Sequence, residues 1–141
     1  MRTDLPDVNV LVALLQPRHV AHGLASSWFN ETAAFATTPV TEMGLVRLAL
    51  NPKVMGLQVT ATQALGSLAS LRADARATFV PDDASLAEAS IDLRGLVGHR
   101  QVTDLHLVEL AARHAMTVVT LDSRLPSSLL PDARHHVRVL G

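Results

Sequence analysis

Several residue types that support particular chemistries are missing or scarce in this chain of 141 residues. It has no cysteine and no tyrosine, and its aromatic residues are one tryptophan and three phenylalanines. The lack of cysteine excludes disulfides, thiolate metal sites and a cysteine nucleophile. The few aromatics exclude a base-stacking platform of the kind that single-strand-binding proteins use. A formal net charge of −1 also excludes a globally basic surface, so any nucleic-acid contact must come from a local patch.

Long apolar runs are absent as well. The longest run near the start, Val8 to Leu15, is broken by Asn9 and is too short to span a bilayer. No small-residue cleavage site follows it. The length suits one domain, and 48% hydrophobic residues are enough for a sizeable core. We therefore expect a single domain over residues 1–141 that is cytoplasmic and has no membrane association.

Apolar periodicity and turn residues predict helices that alternate with short strands. Helices are predicted over residues 8–16, 19–30, 39–50, 59–74 and 102–114, with a short one over 84–89 and a loop over 91–100. Strands are predicted to end at Pro6 and to cover residues 33–37, 78–80, 116–121 and 137–140. In the second helix, Val20, Leu24 and Trp28, with Ala21, are the predicted buried positions. The alternation predicts a mostly parallel sheet with helices on both faces.

Four isolated acids lie where apolar segments begin or end: Asp7, Glu42, Asp104 and Asp122. Such positions fall on the rim of an α/β sheet, where ligands bind. Each acid also has an ordinary structural explanation, because an acid caps or stabilises a helix start and aspartate is common in turns. Should the four meet in space, the carboxylates would need a hard cation to stay ionised together.

The sequence around these acids follows a known pattern. The segments DVNVLVALL, TPVTEMGLVR, GHRQVTDLHLVELAARH and VTLDSRL, in this order and at these separations, resemble a PIN-domain ribonuclease of the VapC toxin type. The resemblance covers essentially the full chain. It implies a three-layer α/β/α fold with a central, mostly parallel sheet. One departure is the interruption of the first strand by Asp4 and Pro6, which predicts a short strand at risk of fraying.

The resemblance also implies a site. It assigns the family's acidic residues to Asp7, Glu42, Asp104 and Asp122, with Asn9 and Thr120 as supporting polar groups. Mg²⁺ or Mn²⁺ suits such an all-oxygen site better than zinc does. We expect Asp7 and Asp104 to be the principal ligands, Asp122 to complete the metal site, and Glu42 to hold a second metal or orient the nucleophile.

The implied activity is metal-dependent hydrolysis of RNA phosphodiester bonds. A protein of this family acts as the toxin of a type II toxin-antitoxin pair: it cuts RNA, with tRNA or rRNA as the expected target, and inhibits translation until a cognate antitoxin neutralises it. The expected assemblies are a homodimer and a toxin-antitoxin hetero-oligomer. Arg47, Arg100 and Arg124 either grip flanking phosphates or form ordinary surface ion pairs. The alternative function is a catalytically silent PIN-like domain that binds protein or RNA.

Overall fold

Five parallel strands form the central sheet of the computed structural model, which describes residues 2–141. Their order across the sheet is β3-β2-β1-β4-β5, and every neighbouring pair is parallel. All carboxyl ends therefore lie along the same edge, as expected for a ligand-binding α/β sheet. The strands are β1 (Thr3–Pro6), β2 (Phe35–Thr37), β3 (Ala77–Phe79), β4 (Met116–Thr120) and β5 (Val137–Val139).

Within the described residues, 2–141, six α-helices connect the strands. They are α1 (Val8–Leu15), α2 (His22–Glu31), α3 (Pro39–Ala49), α4 (Pro52–Met55), α5 (Ala61–Ala73) and α6 (Val102–Arg113). Short 3-10 turns cover Leu86–Glu88, His99–Gln101, Leu125–Ser128 and Pro131–His136. Within residues 2–141, no helix has the length and apolar character needed to cross a membrane.

Two hydrophobic cores, one on each face of the sheet, give the molecule three layers. On one face, α6 packs through Leu105 and Val108 onto Leu5 and Val118. On the other, α1 and α2 pack onto Phe35 and Val119 with the side chains of Leu11, Ala25 and Trp28. Neighbouring residues Val118 and Val119 point to opposite faces, as the alternation of a strand requires. The predicted three-layer α/β/α fold is thereby confirmed.

Strand β1 is short, as expected, and it occupies the centre of the sheet between β2 and β4. Asp4 does not disrupt it, because its Oδ2 accepts hydrogen bonds from the Trp28 indole N–H (2.8 Å) and the Thr32 hydroxyl (2.9 Å). Pro6 is the last residue of the strand and pairs with Val119. The strand therefore accommodates both residues, because hydrogen bonds hold the Asp4 side chain and Pro6 lies at the end of the strand.

The burial predicted for the second helix is wrong in two places. Helix α2 begins at His22, so Val20 precedes it and is 99% exposed, while Leu24 is 44% exposed. Ala25 and Trp28 are the buried positions. The bond from Trp28 to Asp4 helps fix the rotation of the helix and leaves Leu24 at the flank of the buried face. Helix α4 was not predicted, and the short helix expected over 84–89 is a single 3-10 turn.

Candidate active site

Asp7 joins the end of β1 to the start of α1. Its backbone N–H donates to the Val119 carbonyl (2.9 Å), and its carboxylate accepts from the Val10 N–H (3.0 Å) and the Thr120 hydroxyl (2.5 Å). Only 4% of the residue is exposed. Burial raises the pKa of Asp7, and the hydrogen bond from Thr120 is the largest opposing influence. Asp7 is therefore an N-cap, as its local sequence predicts, but one whose second oxygen is tied to β4.

Asp104 lies in the first turn of α6. Its pKa is raised to about 6, first by burial and then by the negative charges of Asp7 and Asp122. A carboxyl group with this pKa is harder to ionise than in water, although the start of a helix favours a negative charge. The three aspartates therefore act on one another electrostatically, and that proximity is the structural basis of the candidate site.

Asp122 follows β4 and is held by a local turn. Its carboxylate accepts from the Arg124 backbone N–H (2.9 Å) and from Arg124 Nε (3.1 Å). Hydrogen bonding to Arg124 lowers the pKa of Asp122, in contrast to the other two aspartates. The Asp122 N–H donates to Thr120 Oγ1 (3.0 Å), so the same hydroxyl contacts both Asp7 and the Asp122 turn.

Glu42 lies in the first turn of α3, and its carboxylate contacts residues of two other elements. The Thr37 hydroxyl donates to Glu42 Oε2 (2.6 Å), and Arg72 Nε of α5 lies 3.5 Å from the same oxygen. Because β1 pairs with β2, the ends of the two strands bring Glu42 and Asp7 to the same edge of the sheet.

Gly44 lets α3 lie close to α1, since a Cβ there would meet Val8 Cγ2 at 2.5 Å.

The predicted supporting residues occupy different positions. Thr120 is fully buried between Asp7 and Asp122, whereas Asn9 is exposed on the first turn of α1. Within residues 2–141, no three His, Asp or Glu side chains are placed as a ready metal-ligand group. The charges of Asp7 and Asp122 nevertheless act on Asp104 and raise its pKa, while Glu42 is engaged by Thr37 and Arg72.

A cavity of about 210 Å³ opens beside Asp104 and Asp122. Arg100 and Arg124 also line it, so both cationic side chains stand next to acids of the site. Gln101 holds the loop that carries Arg100 in place, because its amide donates to the Gly95 carbonyl (3.1 Å) and to Ser128 Oγ (2.8 Å). Arg47 instead lines a separate groove between α3 and α5.

Sequence reasoning missed Thr37, Arg72 and Gln101. Thr37 had a usable signal, since it is a polar residue at the carboxyl end of an apolar strand, as Thr120 is. Arg72 had none, because its pairing with Glu42 depends on the packing of α3 against α5. Gln101 likewise acts through contacts with a loop and a turn that only the fold brings together.

Comparison with known proteins agrees with this architecture. The family model described as PIN domain matches residues 5–127. Ribonuclease VapC39 of Mycobacterium tuberculosis is 45% identical over 129 residues, which is 89% of this chain and 93% of the relative. Ribonucleases VapC38 and VapC29 of the same organism are 43% and 38% identical, over 84% and 87% of this chain and 84% and 88% of their own lengths. The chain therefore belongs to the PIN-domain family, among the VapC ribonucleases.

Proposed function

We propose that this protein is a Mg²⁺- or Mn²⁺-dependent endoribonuclease and the toxin of a type II toxin-antitoxin pair. The whole chain of 141 residues would form one domain. Its active site would comprise Asp7, Asp104, Asp122 and Glu42. The observation that carries the proposal is the placement of three aspartates at one edge of the sheet: Thr120 contacts both Asp7 and the Asp122 turn, Asp122 and Asp104 line one cavity, and burial with the charges of Asp7 and Asp122 raises the pKa of Asp104 to about 6. A buried aspartate whose ionisation is disfavoured by two neighbouring aspartates is expected where a cation normally offsets their charge.

The donor set fits a hard divalent cation. The three aspartates offer only oxygen atoms, which Mg²⁺ and Mn²⁺ prefer, and the chain has no thiolate to recruit a softer metal. Asp7 and Asp104 would be the principal ligands and Asp122 would complete the set. When bound, the cation would activate water and stabilise negative charge on the phosphate.

The protein's own groups would orient the acids and the substrate. Thr120 and the Val10 N–H hold the Asp7 carboxylate in one orientation, and Thr37 does the same for Glu42. Glu42 would hold a second cation or orient the attacking water. Arg100 and Arg124 would bind RNA phosphates, because both line the cavity that contains Asp104 and Asp122.

The biological role would follow from cutting RNA in the cytoplasm. The proposed target is tRNA or rRNA, and cleavage would inhibit translation until a cognate antitoxin binds. Homodimerisation and antitoxin binding are proposed at exposed apolar surface on α3 and α5, where Met43 and Leu65 are 58% and 54% exposed. Side chains of this type are typical of protein interfaces.

Two paired measurements test the enzymatic proposal. Purified parent protein should cut total RNA when Mg²⁺ or Mn²⁺ is added and should bind Mn²⁺ in isothermal titration. Asp7→Asn and Asp104→Asn should each lose cleavage by at least about 100-fold, because even residues that only support metal ligands contribute about 10- to 100-fold. Asp132→Asn, at an exposed acid on the turn before β5, is the matched control and should behave like the parent.

The contrary results separate the alternatives. Wild-type Mn²⁺ binding by both Asp7→Asn and Asp104→Asn would refute the assigned ligands. A parent that binds RNA and cuts none under these conditions would be the catalytically silent binding module. Mapping of new 5′ ends in total RNA after induction of the parent and of Asp7→Ala would identify the target.

A further inference from the structure

A second cavity shares Asp122 and Arg124 with the 210 Å³ cavity beside Asp104. This surface groove, of about 590 Å³, lies between the start of α2 and the carboxyl ends of β4 and β5. Besides the charged residues Asp122 and Arg124, its lining has five aliphatic side chains and two polar ones: Val20, Ala21, Leu24, Leu121, Leu140, Asn9 and His19. We name it the α2 groove. Its volume falls within the range of about 300–1,000 Å³ usual for small-molecule sites.

The α2 groove is continuous with the acidic site. Asp122 and Arg124 line both the groove and the 210 Å³ cavity that contains Asp104 and Arg100. A chain-like ligand that places one anionic group among Arg100, Arg124 and the acids would therefore have its next uncharged group at the α2 groove. The residues that the two cavities do not share differ in character, because the smaller cavity adds the charged side chains of Arg100 and Asp104, whereas the α2 groove adds mainly aliphatic ones.

We propose that the α2 groove binds one unstacked nucleobase of the RNA, next to the phosphate that is cut. This inference rests on the proposed ribonuclease function and adds the specificity-determining surface to it. RNA alternates an anionic phosphate with a flat base that has apolar faces, and this alternation matches the two adjoining cavities. Enzymes commonly hold an unstacked base between apolar side chains and read its edge by hydrogen bonds.

The exposure of the aliphatic residues supports a ligand-binding role. Val20 is 99% exposed and Leu24 is 44% exposed, although both occupy positions that the sequence pattern would place in a core. In the groove they offer a contact surface to the face of a base. Among residues 2–141, no phenylalanine or tryptophan lines the groove, so its aliphatic side chains offer the main contact surface to a base.

Two polar side chains can read the edge of the base. His19 Nδ1 accepts a hydrogen bond from the Ala21 N–H (3.0 Å), so the neutral ring carries its proton on Nε2 and has a donor to offer. Asn9 is exposed, and none of the hydrogen bonds found among residues 2–141 uses its amide, which offers both donors and an acceptor. A base edge presents the complementary groups.

The test is a cycle that combines protein variants with RNA variants. Short RNAs spanning the mapped cut carry either all bases or one abasic ribonucleotide beside the scissile phosphate. Leu24→Ser should lower kcat/KM on the intact RNA by about tenfold, since it removes roughly two methylene-sized contacts. On the abasic RNA the same variant should match the parent within about twofold. Leu57→Ser is the matched control, because Leu57 is 56% exposed and lines a different groove.

A second variant, which should bind RNA more tightly, distinguishes loss of a contact in Leu24→Ser from misfolding of that variant. Val20→Trp adds a flat aromatic surface at a fully exposed position, so it should tighten binding of the intact RNA by about five- to tenfold, and of the abasic RNA by less than about twofold. Equal effects of Leu24→Ser on intact and abasic RNA would overturn the inference, and cleavage by the parent would still support the proposed function. A parent that leaves all RNA uncut would overturn the function itself. Weakened antitoxin binding by Leu24→Ser, with equal effects on both RNAs, would assign the groove to the antitoxin instead and would also overturn the inference.

Discussion

Two carboxylates on α6 have opposite surroundings. Glu109 is fully buried and accepts hydrogen bonds from the Ser90 N–H (2.8 Å), the Ser90 hydroxyl (2.8 Å) and the Ile91 N–H (3.0 Å). Asp104, at the start of the same helix, has Asp7 and Asp122 as electrostatic neighbours, and its pKa is about 6. Hydrogen-bond donors hold the first acid, whereas the charges of two other acids disfavour ionisation of the second.

The comparison shows that burial alone does not mark a functional acid. Glu109 is the more deeply buried of the two, yet its hydrogen bonds give it a clear structural task, which is to hold the loop at Ser90 and Ile91 against α6. Asp104 is less buried but is in the less favourable electrostatic position. A buried carboxylate among donors supports the fold, whereas carboxylates that face one another indicate a place for a cation.

The largest expected effect is on stability and concerns Glu109. Glu109→Ala leaves three donors without their acceptor, so the free energy of unfolding should fall by about 4 kcal/mol. Glu109→Gln keeps one acceptor oxygen and should lose roughly half as much. Urea denaturation followed by circular dichroism measures both. A Glu109→Ala protein within about 0.5 kcal/mol of the parent would remove the distinction between the two acids.

A substitution at Thr120 should have an intermediate effect, on RNA cleavage. It tests whether the acids of the candidate site also depend on hydrogen-bond donors. Thr120→Val removes the hydroxyl that binds Asp7 and accepts from the Asp122 N–H, with little change in shape. We expect kcat/KM for RNA cleavage to fall by about 10- to 100-fold, as for other residues that orient metal ligands. The drop should be steeper at low Mn²⁺ concentration, because the defect is in metal binding. Cleavage equal to that of the parent at every Mn²⁺ concentration would exclude this positioning role.

The smallest effect is a change in pH dependence of the metal-free protein. The pKa of Asp104 is about 6 in the folded state, above its ordinary value of 3.8, so the folded state holds the proton more tightly than the unfolded state does. The stabilising contribution of this group is therefore fully present below the unfolded-state pKa and is lost as pH rises through the folded-state pKa. Asp104→Asn in EDTA should be more stable than the parent at pH 8, by about 1 kcal/mol after allowance for solvent screening. The difference should vanish near pH 4, and a difference that is constant from pH 4 to 8 would contradict the assignment.

Local sequence was sufficient where one segment decides its own structure. The predicted helix over 102–114 and strand over 116–121 each differ from α6 and β4 by one residue at the carboxyl end. Both have strong apolar patterns and clear boundaries. Thr38 and Pro39 likewise predicted the start of α3. The four predicted acids lie at the rim of the sheet or on helix starts beside it, while their metal-binding roles stay predictions.

Tertiary contacts determine the features that the sequence did not predict or predicted wrongly, namely the exposure of residues near α2 and the partners of two glutamates. The exposure of Val20 and Leu24 depends on where α2 begins and on its attachment to Asp4, a residue of another element. The role of Glu109 depends on the loop at Ser90, and nothing within its own helix reveals that contact. The partner of Glu42 is an arginine on α5. These features arise from pairings between distant segments, which local patterns do not encode.

The backbone bond from the Asp7 N–H to the Val119 carbonyl has a consequence for how the protein is made. It extends the ladder between the first strand and one near the far end of the chain, and the Thr120 hydroxyl that binds Asp7 is 113 residues away in sequence. A slip of one residue in this pairing would turn the side chains of the strand to opposite faces and separate these groups. During synthesis, Asp7 therefore cannot form these contacts until Val119 and Thr120 have been added to the chain. A partly synthesised or misregistered chain lacks the contacts between Asp7, Val119 and Thr120, so the candidate site forms only when β1 and β4 have paired.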